Sequence, residues 1–148
     1  MIERLRRLLP GLWAGWMLCV AALATPAAFA LLERAVAGKV AARMLAQEAY
    51  TSLVIGIVLV VLERAAARRA ADAGQGSGFS AGMGLALGAL FCTVAGYFAV
   101  QPMMDAARAG QGALSFGQLH AISAAFYGVK LALVLALAWR AARAAPPR

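Results

Sequence analysis

Charged residues divide the chain into four long apolar stretches, and the intervals between them set the predicted elements. From Leu8 to Leu32 no residue carries a charge, and Arg4, Arg6 and Arg7 stand just before this run. A run of that length spans the roughly 30 Å hydrocarbon layer of a bilayer as a helix, so a first spanning helix is predicted over 8–32. Pro26 inside it removes a backbone donor and predicts a kink, with Thr25 at hand to bond the freed carbonyl. A signal peptide is the competing reading, with an apolar stretch from Gly11 to Ala24 and small residues at Ala28 and Ala30. The run continues through Leu31 and Leu32, which favours an uncleaved helix.

The second stretch is shorter. Ala49 to Leu62 is free of charge but spans only 14 residues, so a helix that crosses must reach back to about Met44, and 44–62 is the expected span. That start places Gln47 and Glu48 about one turn inside the boundary. Basic residues Arg64, Arg68 and Arg69 follow, and Gly74-Gln75-Gly76-Ser77-Gly78 reads as a flexible loop. A third span is predicted over 79–100, closed by Gln101-Pro102. Within it Ser80, Gly84, Gly88, Cys92 and Gly96 recur every fourth residue, a smooth stripe that lets a neighbouring backbone approach closely. The fourth span, 114–139, ends at Trp139, an interfacial anchor before Arg140 and Arg143. The Pro146-Pro147 tail is expected to be disordered.

Composition agrees with this pattern. The chain has 148 residues, 64% of them hydrophobic and 14% charged, with a mean hydropathy of +0.78; soluble domains are about half apolar. The expected architecture is therefore all-α, a single transmembrane domain over 1–148 built as a four-helix bundle with the lipid bilayer as its main partner. No room remains for a separate soluble catalytic domain. The net charge of +8 does not signal nucleic acid, because the basic residues punctuate the apolar runs and are not interleaved with stacking aromatics. Their distribution predicts orientation instead. Nine fall at the amino end, the 63–78 loop and the tail including Arg148, against four (Arg34, Lys39, Arg43 and Arg108) on the other side. By the positive-inside rule both termini are expected in the cytoplasm, in a bacterial inner membrane. Cys19 and Cys92 lie within apolar runs, where a thiol acts as a small hydrophobe.

The fourth helix concentrates the candidate chemistry. At 100° per residue His120, Ser123, Tyr127 and Lys130 fall within a stripe about 80° wide. Polar groups inside a membrane segment turn toward an interior or a hydrated cavity, so this stripe is the candidate site. The alternative is that Lys130 snorkels to an interface and the others serve as interhelical hydrogen bonds. From the expected depths, Glu48 is the intramembrane partner of His120, with Arg43 as competitor. Lys130 is expected to lie about 15 Å deeper than His120, out of reach of Glu48. Met44, Met103, Met104 and His120 share one side, and thioether with imidazole suits Cu(I), although methionine in an apolar bundle ordinarily serves as filler. A bis-histidine haem would need a second histidine, which the chain lacks. Ser123 one turn after His120 has no nucleophile turn or oxyanion donors beside it, so no catalytic residue is assigned.

Three stretches together resemble the transmembrane protein 205-like family, whose bacterial members form domain of unknown function 4149. They are Leu12-Trp13-Ala14-Gly15 with Pro26-Ala27-Ala28-Phe29 and Ala37-Gly38-Lys39-Val40-Ala41; Gln101-Pro102-Met103-Met104 with Arg108; and Phe116-Gly117-Gln118-Leu119-His120 with Ser123. The resemblance runs from about Leu8 to Trp139. It implies a four-helix membrane protein of no established activity and marks Pro26, Gly38, Pro102, Arg108, His120 and Ser123. The family commonly has asparagine where this chain has Tyr127, so a role for that asparagine does not transfer. The expectation is a protein without cofactor, more a scaffold or a solute or ion conduit than an enzyme, assembling as a homo-oligomer or with a membrane partner. Copper handling or redox chemistry at His120 and the methionines is the alternative.

Overall fold

A computed structural model describes residues 2–143; Arg148 and the Pro146-Pro147 tail lie outside the described residues. Among these the secondary structure is entirely helical, and four helices are long and apolar enough to cross a membrane: α1 (Ile2–Leu31), α2 (Arg34–Asp72), α3 (Ala81–Arg108) and α4 (Phe116–Arg143). Each helix packs against two neighbours, α1 on α2 and α4, and α3 on α2 and α4. The two pairs α1/α3 and α2/α4 therefore stand on the diagonals. Trp13, Met17, Leu59, Ala86, Ala89, Val134 and Leu137, drawn from all four helices, fill the centre. Large apolar side chains such as Leu12, Leu23, Val54, Ile57, Val61 and Phe91 point outward, as a lipid-facing surface requires.

The second helix starts ten residues earlier than the apolar run suggests, at Arg34 and not near Met44. Lys39, Arg43, Gln47 and Glu48 are all helical, and only the two-residue break at Leu32-Glu33 separates α2 from α1. The third helix likewise runs through Pro102 to Arg108. In α1 and α3 the mid-helix prolines Pro26 and Pro102 are absorbed rather than terminal. A widened π turn occupies Cys19–Ala24 ahead of Pro26, and another occupies Val94–Ala99 ahead of Pro102. Proline cannot serve the carbonyl four residues before it, which is Ala22 for Pro26 and Phe98 for Pro102. Both carbonyls lie inside the π turns, so the helix loosens where the bond is missing. The expected help from Thr25 is absent, as its buried hydroxyl has no hydrogen-bond partner.

The turns after α2 and α3 share one sequence, Ala-Gly-Gln-Gly, at 73–76 and 109–112. Gly74 and Gly110 adopt φ of 72° and 73°, a left-handed conformation that glycine takes without strain. Gln75 N–H then donates to Ala70 O at 2.8 Å and Gln111 N–H to Ala106 O at 2.9 Å, closing each helix in the same capping motif. At the other end of the loop the Ser80 side chain accepts from Met83 N–H at 3.1 Å and caps α3.

The small-residue stripe of α3 divides. Gly88 faces Leu133 and Gly96 faces the Phe126 Cβ of α4, Cys92 is buried, and Ser80 is the cap, whereas Gly84 meets only the Phe79 ring. A second stripe, Gly82, Ala86, Ala89 and Thr93, is buried in addition. Gly96→Ala is expected to destabilise the fold by about 1–3 kcal/mol, because the new methyl meets a Cβ that cannot swing away. Gly84→Ala is expected to be neutral or stabilising by up to about 1 kcal/mol from helix propensity. Thermal unfolding of the two variants in detergent compares them.

Candidate functional site

The buried face of α2 is set by a repeat that the apolar run hides. Glu48, Ser52, Gly56, Leu59 and Glu63 are all buried, and at 100° per residue they fall within about 80° of one another. Two carboxylates therefore enter the interior from one helix, and each requires a cation there.

Glu48 finds its cation in Lys130, across the diagonal. Lys130 Nζ donates to Glu48 Oε1 and Oε2 at 2.9 and 2.8 Å and lies 3.4 Å from Ser52 Oγ. The side chains are 2% and 4% exposed. Ser52 donates to Glu48 Oε1 and accepts from Trp13 Nε1–H at 2.8 Å. The Tyr127 ring covers the ammonium at 4.7 Å, a cation–π contact in a desolvated place. The Tyr127 hydroxyl in turn donates to Met17 O of α1 at 2.9 Å. The cluster is neutral as a whole, and its charged ends are bonded to side chains from α2 and α4, with Trp13 of α1 joined through Ser52.

This pairing overturns the expected one of Glu48 with His120. The depth comparison fails because it places α2's start too late. Glu48 lies fourteen residues into α2 and Lys130 fourteen residues into α4, about 21 Å along each helix, so the two stand level. Arg43 does not compete for Glu48; it is exposed. His120 is exposed as well, stacked on Phe116 at 6.0 Å. The stripe explains this. Eleven residues separate Leu119 from Lys130, which brings them within about 20°, whereas His120 sits about 80° off Lys130. Leu119 takes the interior place and is buried with Val100 and Met104.

The other members of the stripe do face inward. Ser123 Oγ donates to Gly96 O at 2.7 Å, a carbonyl within the π turn of α3. Tyr127 bonds Met17, just ahead of the π turn of α1. The polar stripe of α4 thus supplies a hydroxyl near each loosened segment and, three residues beyond Tyr127, the Lys130 ammonium. Of the methionines considered with His120, Met104 is buried, Met103 exposed and Met44 half-buried. Among the described residues no group of three or more His, Cys, Asp or Glu is placed to hold a metal.

Sequence reasoning missed Ser52, Trp13 and the whole second cluster. Glu63 accepts from Arg6 Nη1 at 2.7 Å and from Ser80 Oγ at 3.4 Å, and its carboxylate packs against the bare Cα of Gly82. A negative charge there also meets the positive end of the α3 dipole. Arg6 donates to Glu3 too, at 2.7 and 3.0 Å. The available signal was the fifteen-residue spacing of Glu48 and Glu63, which puts both acids on one face.

These observations define an all-helical protein with four candidate membrane spans around a neutralised interior ion pair. The chain belongs to the family described as a domain of unknown function, DUF4149, whose model matches residues 8–113. That match covers Trp13, Glu48, Ser52 and Glu63 and stops short of α4, which carries Lys130. No curated protein and no solved structure matches the chain.

Lys130→Met alone is expected to cost about 3–5 kcal/mol, since it strands the Glu48 carboxylate. Adding Glu48→Leu is expected to recover most of that loss, because an apolar pair needs no counter-charge. Unfolding free energies of the single and double variants in detergent give the comparison.

Proposed function

We propose that the chain is an integral multi-pass protein of the bacterial inner membrane with both termini cytoplasmic, serving as a non-enzymatic helical scaffold. Its partner is a second copy of itself or another membrane protein. The observation that supports this reading is the closed Glu48–Lys130 pair. Its two charges are enclosed and its hydrogen bonds are spent on side chains of the same cluster, which leaves the interior ordered for packing and not for turnover. The orientation rests on the basic residues, nine against four, and the spans on length and composition.

A solute or ion conduit is the second reading, and one feature favours it. Tyr127 and Ser123, on the helix that carries Lys130, bond carbonyls of α1 and α3 beside or within their π turns, and loosened helices in membrane proteins serve as hinges around central sites. Copper handling by Met44, Met103, Met104 and His120 has no comparable support.

Two measurements test the reading. A reporter fused after Arg148 is expected to report from the cytoplasm, and an outside signal would overturn the orientation. Reconstituted in liposomes, the protein is expected to pass no ions down an imposed gradient while migrating in mild detergent as an assembly larger than one chain. Gradient-driven flux from a monomeric preparation would replace the scaffold by the conduit.

A further inference from the structure

A groove of about 480 Å³ opens between α1 and α2, lined by Trp16, Arg43, Ala46, Gln47, Tyr50 and Thr51. On α2 the residues Arg43, Gln47, Tyr50 and Thr51 follow a helical spacing of four, three and one, so they form one outward face, separate from the face that carries Glu48 and Glu63. No carboxylate lines the groove. Among the described residues the Arg43 guanidinium, the Gln47 amide, the Tyr50 hydroxyl and the Trp16 indole N–H have no hydrogen-bond partner; only the Thr51 hydroxyl is engaged, with Gln47 O at 2.8 Å. Four unused donors thus share one hollow.

Depth gives the donors their meaning. Arg43 lies twenty residues before Glu63, about 30 Å along the same helix, the thickness of a hydrocarbon layer. With the Arg6–Glu63 pair at one boundary, Arg43 stands at the other, on the side of the Leu32-Glu33 turn. Gln47 and Tyr50 then lie about 6 and 10 Å below it, where unpaired polar groups have no water to bond.

We propose that this groove binds one diacyl phospholipid of that leaflet, with the phosphate on Arg43 and the glycerol ester carbonyls on Gln47 and Tyr50. A phospholipid carries an oxyanion at the boundary and neutral acceptors just beneath it, so its acceptors fall at the same two depths as the donors. Arg43 supplies a planar fork matched to phosphate oxygens. Trp16, ten residues or about 15 Å from Arg6 along α1, lines the groove deeper in the layer and offers its ring to the acyl chains. A free phosphate would satisfy Arg43 alone. The proposal rests on the membrane reading above.

The test uses the full chain purified from membranes in mild detergent, with the ratio of lipid-bound to lipid-free protein read by native mass spectrometry. Wild type is expected to retain one phospholipid, and millimolar inorganic phosphate is expected not to displace it. Arg43→Ala is expected to lower the ratio by about tenfold, the loss of a charged hydrogen bond. Gln47→Leu with Tyr50→Phe, which keeps the guanidinium, is expected to lower it similarly, while Arg64→Ala at the opposite boundary leaves it unchanged. Retention at the wild-type level by both groove variants, or displacement by inorganic phosphate, would overturn the lipid site. Alkaline carbonate extraction separates the two readings: chain released from the membrane pellet overturns the membrane assignment, and lipid-free chain that stays in the pellet overturns this proposal alone.

Discussion

A carboxylate or an ammonium left alone in an apolar interior costs several kcal/mol, and the attraction between them offsets that cost only when the geometry is close and the remaining hydrogen bonds are filled. Glu48 and Lys130 meet both conditions, at 2.8–2.9 Å and with Ser52, Trp13 and Tyr127 around them. The pair joins α2 to α4, which stand diagonally and do not otherwise pack on each other. A slide of one turn along either helix, about 5.4 Å, would part the charges. The net stability from such a pair is modest, since a well-packed apolar pair does as well. Its larger effect is to fix the depth at which the four helices meet.

The rest of the interior follows from this. With Lys130 held level with Glu48, the same face of α4 brings Tyr127 against α1 and Ser123 against α3. Both helices are weakened by a proline, and both present a carbonyl in or beside a π turn to the α4 hydroxyls. The second pair, Arg6 with Glu63, fixes the opposite end of α2 against the start of α1 and the cap of α3. Two ion pairs on one face of α2, about 22 Å apart, thus pin the helix at two depths.

The four spans are legible because apolar run length answers directly to bilayer thickness, and the inward turn of Ser123, Tyr127 and Lys130 is legible from their shared helical face. Pairing is not legible in the same way. Who meets Glu48 depends on where α2 begins, and the charged residues Lys39 and Arg43, which read as a loop, are helical because an exposed end of a long helix tolerates them. Placing the start near Met44 moves Glu48 toward the surface and toward His120. Placing it at Arg34 moves Glu48 level with Lys130. His120 itself sits at the edge of the stripe, where its neighbour Leu119 makes the better core residue. Trp13 and Ser52 were overlooked for a simpler reason: neither is ionisable, and only the burial of the pair gives their polar atoms a task.

The claim that the diagonal pair sets the helix register is tested most directly by a distance in the bilayer. Solid-state NMR on protein in lipid, with ¹⁵N at Lys130 Nζ and ¹³C at the Glu48 carboxyl, reads that distance through the dipolar coupling. A nitrogen-to-carbon separation within about 4 Å is expected, as for a bonded ion pair. No detectable coupling at up to about twice that distance would mean that the two helices meet at another depth, and the account built on the pair would fail.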